Sequence, residues 1–422
     1  MTIPTRTGPP ALDRASSQRS MIFLLAGEGI GYAGTAIHRV AMPALAVLVL
    51  HATPGQVAVL AFAATVPALV IALPAGVLLD RYPLRHLLVA TSAVSAAVLT
   101  GLVAAAVSER LTMPVLYGAA LLLGSLSVLH EAAVLNSVTL LAGTGSRHQA
   151  HARLTAVINI AVSAGSSAGS VLVGTVGPAR ALLADAASYL LAAWCATRVR
   201  GLPVPRRARS TRQRVRAEIR EGVAHCATDP VLRPLLTALA ANGFGSWLTH
   251  TLLAYHLLTT VKVGAGGLGL ILAANSAGGL LGALVAPRLV RRFGCGTVLA
   301  VGFTLYPVMT IPPLLAGPGP LWLTVLALSG GVQLAAATAA GTTQRSLQAG
   351  TTPPSLLARV QQTAQWLYSG SRPLAALAAG GLAATTSVRT AIATGVVIML
   401  LTASTTWRPP LRRLATAEAG TA

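Results

Sequence analysis

Charge and aromatic carbon are what this 422-residue sequence has least of. Charged residues make up 10% of it and aromatics 4%, where a soluble domain carries about 25% charged residues. Acidic residues number 10, and Lys262 is the single lysine. The three cysteines, Cys195, Cys226 and Cys295, are scattered without a C-x-x-C or zinc spacing, which excludes a disulfide framework and a structural metal site. Neither an H-E-x-x-H pair nor a Walker loop is present. A membrane metalloprotease and an ATP-driven pump are therefore unsupported, no cofactor or metal is expected, and the energy source of any transport has to be an ion gradient. What the sequence does have is Ala, Val and Leu with 41 Gly, 54% hydrophobic residues in all and a mean hydropathy of +0.69. That much apolar surface cannot be hidden in one or two cores of ordinary size. Disorder and a water-soluble enzyme are excluded, and a polytopic membrane protein remains.

A helix needs about 20 apolar residues to cross the hydrocarbon core. On that measure twelve spans are expected: 21–49, 56–79, 87–107, 113–141, 150–175 and 179–198, then 233–260, 266–287, 296–316, 320–345, 355–382 and 387–407. The first span follows a polar segment and is itself of full spanning length, so it reads as an uncleaved span and not as a secretory signal. Pro43, Pro67, Pro74, Pro307 and Pro373 are kink sites of the kind a bundle tolerates.

The connectors set the orientation. With residue 1 cytoplasmic, alternate connectors and the two tails hold 25 of the 31 basic residues. The opposite side holds four, Arg110, Arg180, Lys262 and Arg389, while Arg39 and Arg372 fall inside spans. The positive-inside bias would vanish if one span in the first half were miscounted, so the split checks the count. Both termini are expected in the cytoplasm, in a plasma-membrane protein. The formal charge of +21 is thus the charge of a membrane protein's connectors and no sign of nucleic acid.

The expected organisation is a cytoplasmic tail over 1–20, a six-helix half over 21–198, a basic linker over 199–232, a second half over 233–407 and a tail over 408–422. Within the linker, residues 211–227 suit an amphipathic surface helix with Arg214 and Glu218 paired at i, i+4, a basic tether for anionic lipid. An internal repeat marks the same division. GVLLDRYPLRH begins at Gly76 and GALVAPRLVRRFG at Gly282, 206 residues later, each placing a Gly at the end of the second helix of a half before a basic turn. Secondary transporters are built from internal repeats of this kind.

Gly76, Asp80, Arg81 and Arg85 resemble the G-x-x-x-D-R-x-G-R-R turn between spans 2 and 3 of the major facilitator superfamily, with Pro83 and His86 as departures. The stretches ALLADAASYLLAAW (181–194), EGVAHCATDPVLRPLL (221–236), LGLILAANSAGGLLGALVAPRLVRRFG (268–294) and LLARVQQTAQWLYSGSRPLAALAAGGLA (356–383) are similar to its enterobactin-exporter-like branch. That resemblance implies an all-α fold of twelve transmembrane helices in two pseudo-symmetric six-helix halves. It also implies proton-driven efflux of a drug, siderophore or other secondary metabolite by alternating access. One departure bears on direction: span 5 carries GSSAGS at 165–170 where antiporters of the superfamily often carry a Gly-Pro pattern. Gly165, Gly169 and Gly174 still suit close helix contact.

An ionisable group inside a span costs about 2.5–3.5 kcal/mol on insertion scales, so such groups are functional candidates. Glu28 and Arg39 lie in span 1, Glu131 in span 4, Asp185 in the outer part of span 6 and Arg372 in span 11. Glu28 and Arg39 share one helical face, about 20° apart in azimuth and about 16 Å in height. The resemblance puts spans 1 and 4 on opposite sides of the cavity. Glu131 or Glu28 is the expected proton carrier, with Arg39 tuning it, because an apolar cavity favours the neutral carboxyl and a guanidinium the ionised one. By the same resemblance Gly76, Asp80, Arg81, Arg85 and Arg359 form an inner gate, Asp80 meeting the inner end of span 11. Candidate cavity residues are Arg372, Gln361, Gln365, Tyr368, Asn242, Asn275 and Gln333, of which Gln361, Gln365 and Tyr368 share one helical stripe.

The expected partners are a small, moderately hydrophobic substrate, protons and the bilayer, with the chain acting as a monomer. Three readings compete. A solute importer would use the same fold. An intramembrane serine hydrolase would use the G-x-S-x-G pattern at Gly165–Gly169, which requires a strand-turn-helix setting. A sensing receptor would be expected to carry an appended signalling domain.

Overall fold

The computed structural model describes residues 14–71, 79, 82–202, 232–351 and 357–406. Twelve helices run in order: α1 Arg14–Leu48, α2 Pro54–Val70, α3 Leu84–Val107, α4 Met113–Val176, α5 Pro178–Arg198, α6 Leu232–Thr259, α7 Gly264–Phe293, α8 Cys295–Val308, α9 Ile311–Leu315, α10 Pro320–Thr351, α11 Leu357–Thr385 and α12 Val388–Thr406. No strand occurs among the described residues. The linker helix expected at 211–227 lies outside them, as do Gly76, Asp80 and Arg81.

Two of these helices differ from single spans. α4 is helical over 64 residues, yet Thr139 and His151 meet through Oγ1 and Nε2 at 3.0 Å. In a straight helix those residues would stand about 18 Å apart, so α4 doubles back between Met113–Ala142 and Gln149–Val176, each long and apolar enough to cross. The ninth expected span is instead interrupted. α8 ends just after Pro307, and α9 opens with Pro312 and Pro313, whose missing N–H groups cannot continue the hydrogen-bond ladder. Counting α4 twice and α8 with α9 once, the chain makes twelve crossings. The chain is thus all-α with two six-helix halves, Arg14–Arg198 and Leu232–Thr406.

The second copy of the basic turn is less of a turn than its sequence suggests. α7 continues to Phe293 and stops only at Gly294, whose φ of +80° suits a residue without Cβ. Arg288, Arg291 and Arg292 are therefore helical. Long apolar stems let arginine ride along a helix while its head reaches the interface.

An even number of crossings puts both ends of the chain at one face, the terminal end. Ser20 Oγ donates to the Arg200 carbonyl and accepts from the Arg200 N–H, both at 3.0 Å, and Ala403 packs with Leu299, Phe303 and Ala340. The opposite face is the distal end. One apolar core joins both halves there, running from Val47, Ala52 and Leu60 through Leu102, Leu116 and Leu182 to Val261, Leu268 and Leu326. Toward the terminal end the clusters belong to one half each, around Leu88 and Val138 in the first and around Phe303 and Ala286 in the second. Among the described residues, then, one continuous apolar core joins the two halves at the distal end, and α2 meets α11 further along, where Leu69 lies against Gly370.

Within the first half α1 is gripped by small residues. A Cβ on Gly165 would strike the Ala33 carbonyl, so α1 and the second arm of α4 approach at backbone distance, as small residues allow in lipid. Replacing Gly165 with Val is expected to cost about 1–3 kcal/mol through overpacking, measured as a fall in thermal midpoint in detergent. Gly118→Ala, where a Cβ meets nothing within 4 Å, should leave the midpoint unchanged or raise it.

Candidate functional site

The close approach of α1 brings its polar side chains onto those of its neighbours. Glu28 is only 4% exposed. Its Oε1 lies 3.0 Å from His130 Nε2 of α4, and His130 Nδ1 lies 2.8 Å from Thr91 Oγ1 of α3. Thr91 Oγ1 donates back to the Leu87 carbonyl at 2.7 Å. A carbonyl accepts only, so the single hydroxyl hydrogen of Thr91 is committed and its oxygen accepts from His130 Nδ1–H. The other nitrogen, Nε2, then faces the carboxyl with one proton between them. That proton sits on the imidazole, giving an ion pair, or on the carboxyl, giving a neutral pair. Either way the pair holds it, because without it two lone pairs would confront each other at hydrogen-bond distance.

A second pair sits nearer the distal end. His38 Nδ1 lies 2.9 Å from Asp185 Oδ2, and the Asp185 side chain is 0% exposed. Ser188 Oγ donates to the Asp185 carbonyl at 2.7 Å and reaches Oδ1 at 3.2 Å. This contact fits only because α1 carries Gly34 opposite, where a Cβ would collide with Ser188 and Asp185. Thr35 and Tyr189 meet through their hydroxyls at 3.0 Å. Along α1, Glu28 and His38 stand about 15 Å apart in height. Tyr32 lies between them, within electrostatic reach of Glu28, Glu131 and Arg39. Arg39 and Glu131 are both exposed. Charges from two helices thus act on one tyrosine.

The second half has a neutral counterpart. Asn242, Ser246 and His250 recur every four residues along one face of α6. Ser246 Oγ and His250 Nε2 both contact Tyr306 Oη of α8, at 2.8 and 2.7 Å. The Arg372 guanidinium of α11 lies 4.4 Å over the Trp247 ring, a cation–π contact. Between residues 230 and 417 the sequence contains no Asp or Glu, so no carboxylate of that stretch takes part.

The residues expected from sequence fall in different places. Glu28, Glu131 and Arg39 come together around Tyr32. Gln333 is 7% exposed and donates to Thr310 Oγ1 at 2.5 Å, holding α10 to the break after α8. The Asn275 amide, oriented to satisfy its neighbours, donates to the Ile271 and Gly330 carbonyls at 3.0 and 3.2 Å. Both amides thus bridge neighbouring helices or turns. Asn242 Oδ1 is buried without a hydrogen-bond partner among the described residues. Arg85, expected at an inner gate, donates to the Thr197 carbonyl at 2.6 Å, where a cation suits a helix C-terminus; it ties α3 to α5 inside one half. The side chains of Arg359, Gln361, Gln365 and Tyr368 lie outside the described residues. The G-x-S-x-G pattern lies within α4, and Ser167 Oγ donates to the Ser163 carbonyl at 3.1 Å, so no nucleophile elbow forms.

Sequence reasoning passed over His130, His38, Thr91, Tyr32, Tyr189 and Tyr306. A signal was present. His38–Arg39 and His130–Glu131 are both histidine–charge doublets, and successive helical residues differ by 100°. In each doublet one member can pack while the other faces the opening.

The arrangement is that of the major facilitator fold, shared with solved membrane transporters. A nucleoside transporter, NupG, aligns with a TM-score of 0.70 at 12% identity, covering 94% of this chain and 98% of its own. A bacterial homologue of the iron transporter ferroportin in an inward-facing state aligns at 0.69 and 14%, covering 92% and 98%. A bacterial homologue of the human lysosomal transporter Spinster, also inward-facing, aligns at 0.66 and 12%, covering 97% and 99%. At such identities the likeness is one of fold. No curated protein matches the chain. The model of the transmembrane secretion effector family within the superfamily matches residues 17–421, and the chain belongs to that family.

His38→Ala, which strands the buried Asp185 carboxyl, is expected to cost about 3–5 kcal/mol, as breaking a buried pair does. Ser188→Ala should cost about 1 kcal/mol. Thermal midpoints of the two variants in detergent check the order.

Proposed function

We propose that this chain is a proton-coupled exporter of a small hydrophobic molecule, in the manner of the enterobactin-exporter-like branch, working by alternating access in the plasma membrane with its terminal end in the cytoplasm. The observation that carries the coupling is the Glu28–His130–Thr91 chain of hydrogen bonds. Its shared proton is what lets a carboxyl and an imidazole nitrogen stand 3.0 Å apart. Loss of that proton turns the contact repulsive, and the pair then has to part or reorient. Protonation is thereby tied to the relative position of α1 and α4. Glu131, exposed beside Tyr32 and His130, serves as the group through which protons pass between water and the pair, and Arg39 biases their charge.

The second half supplies the substrate wall. Trp247, Tyr306, Ser246 and His250 offer aromatic surface and neutral hydrogen-bonding groups, which suits a hydrophobic molecule with few charges better than an ion. The family's description as secretion effectors supports export.

Everted membrane vesicles energised to an acidic interior, carrying a fluorescent reporter of the pH gradient, test the reading with ethidium and a panel of uncharged amphiphiles. At least one compound is expected to draw down the gradient, and a protonophore should abolish its uptake. Glu28→Gln keeps a hydrogen bond to His130 but carries no titratable proton, and should cut the response at least tenfold at an unchanged thermal midpoint. A full response in that variant would remove Glu28 from the coupling. Gradient-driven accumulation of the same compound in right-side-out vesicles would overturn export.

A further inference from the structure

The second half carries an apolar groove that the transport reading leaves unused. It has a volume of about 560 Å³ and is walled by Leu281, Val285, Leu289 and Phe293 of α7, Val301 of α8 and Val332 of α10. α7 and α8 each pack against α10 and scarcely touch one another, so the groove is the gap they leave. Its walls stay exposed: Leu281 59%, Val285 39%, Phe293 50% and Val301 44%. Exposed apolar side chains on spanning helices face lipid, and here they line a groove rather than a smooth surface. From Leu281 to Phe293 it runs about 18 Å along α7, close to the depth of one leaflet, half of the roughly 30 Å hydrocarbon core.

Its terminal end is basic. Arg292 falls within about 20° of Val285 in azimuth, and Arg288 within about 60°, so both flank the groove face. The Arg292 guanidinium lies 5.3 Å over the Phe293 ring at the groove's mouth, and Arg288 is exposed and donates to the Leu284 carbonyl of its own helix. Neither meets a carboxylate among the described residues, and the sequence offers none from 230 to 417. An apolar slot one leaflet deep, flanked by two guanidinium groups that meet no carboxylate among the described residues, matches the shape and charge of one kind of molecule.

We infer that the groove between α7, α8 and α10 holds an anionic phospholipid, one acyl chain along Val285 and Leu289 and its phosphate on Arg292 and Arg288. Basic pockets between helices on this face of a membrane protein recognise such head groups. The bound lipid fixes the spacing of α7 and α8, which have little direct contact of their own.

Native mass spectrometry of the purified full chain, exposed to equal amounts of phosphatidylglycerol and phosphatidylcholine, provides the test. Wild type is expected to retain phosphatidylglycerol at least fivefold over phosphatidylcholine. Arg288→Gln with Arg292→Gln should abolish the preference while leaving some retention. Val285→Trp, which fills an exposed wall without entering the core, should remove retention of both lipids. Equal retention of the two lipids by wild type, an undiminished preference in the arginine variant, or a lipid-free dimer formed through the groove would each overturn the inference. None of these outcomes depends on transport activity, so a failure of the exporter reading would be seen separately.

Discussion

Hydrocarbon supplies no hydrogen bonds, so every polar atom that a helix carries into it has to be answered by another part of the chain. In this protein that constraint acts first on α1. Glu28 and the hydroxyl of Thr35 have no water to turn to, and Asp185 on α5 is in the same position. Their partners are reached because Gly34 and Gly165 allow α1 to lie against α5 and the second arm of α4 at backbone distance. The glycine contacts and the carboxyl pairs are one arrangement: bulk at either glycine would separate the helices, and separation would leave buried acid groups alone.

The two halves answer the constraint with different chemistry. In the first, imidazole meets carboxyl twice, at Glu28–His130 and at His38–Asp185. In the second, carboxylates are missing from residues 230 to 417, and the equivalent crossing is made by hydroxyl, imidazole and amide groups around Tyr306. One half therefore answers its buried acids with imidazole, and the other crosses between helices without any acid, although both share the same fold.

Most of the fold was legible in the sequence, because lipid imposes a length and a hydropathy on each crossing and a charge bias on each connector. The exceptions have local causes. The turn between the two arms of α4 is assigned helical throughout, so its reversal shows only in the Thr139–His151 contact. The ninth span breaks where Pro307, Pro312 and Pro313 follow one another. The candidate site was legible in part. Glu28, Glu131 and Arg39 stand out because a charge in an apolar run is rare, whereas His130 and His38 did not, since a neutral histidine costs little and its role depends on what it meets. Gln333 and Asn275 have the chemistry of a cavity wall, but in the bundle their amides are spent on helix contacts.

The sequence by itself determined that this chain crosses a membrane an even number of times, in two related halves, because apolar length and arginine placement are properties of single segments read by a uniform solvent. Only the tertiary structure decided which acid meets which imidazole. Glu28 and His130 are 102 residues apart and His38 and Asp185 are 147 apart, and pairing across such distances is set by how helices nest. Nesting depends on which glycine faces which backbone, and hydropathy carries no record of that.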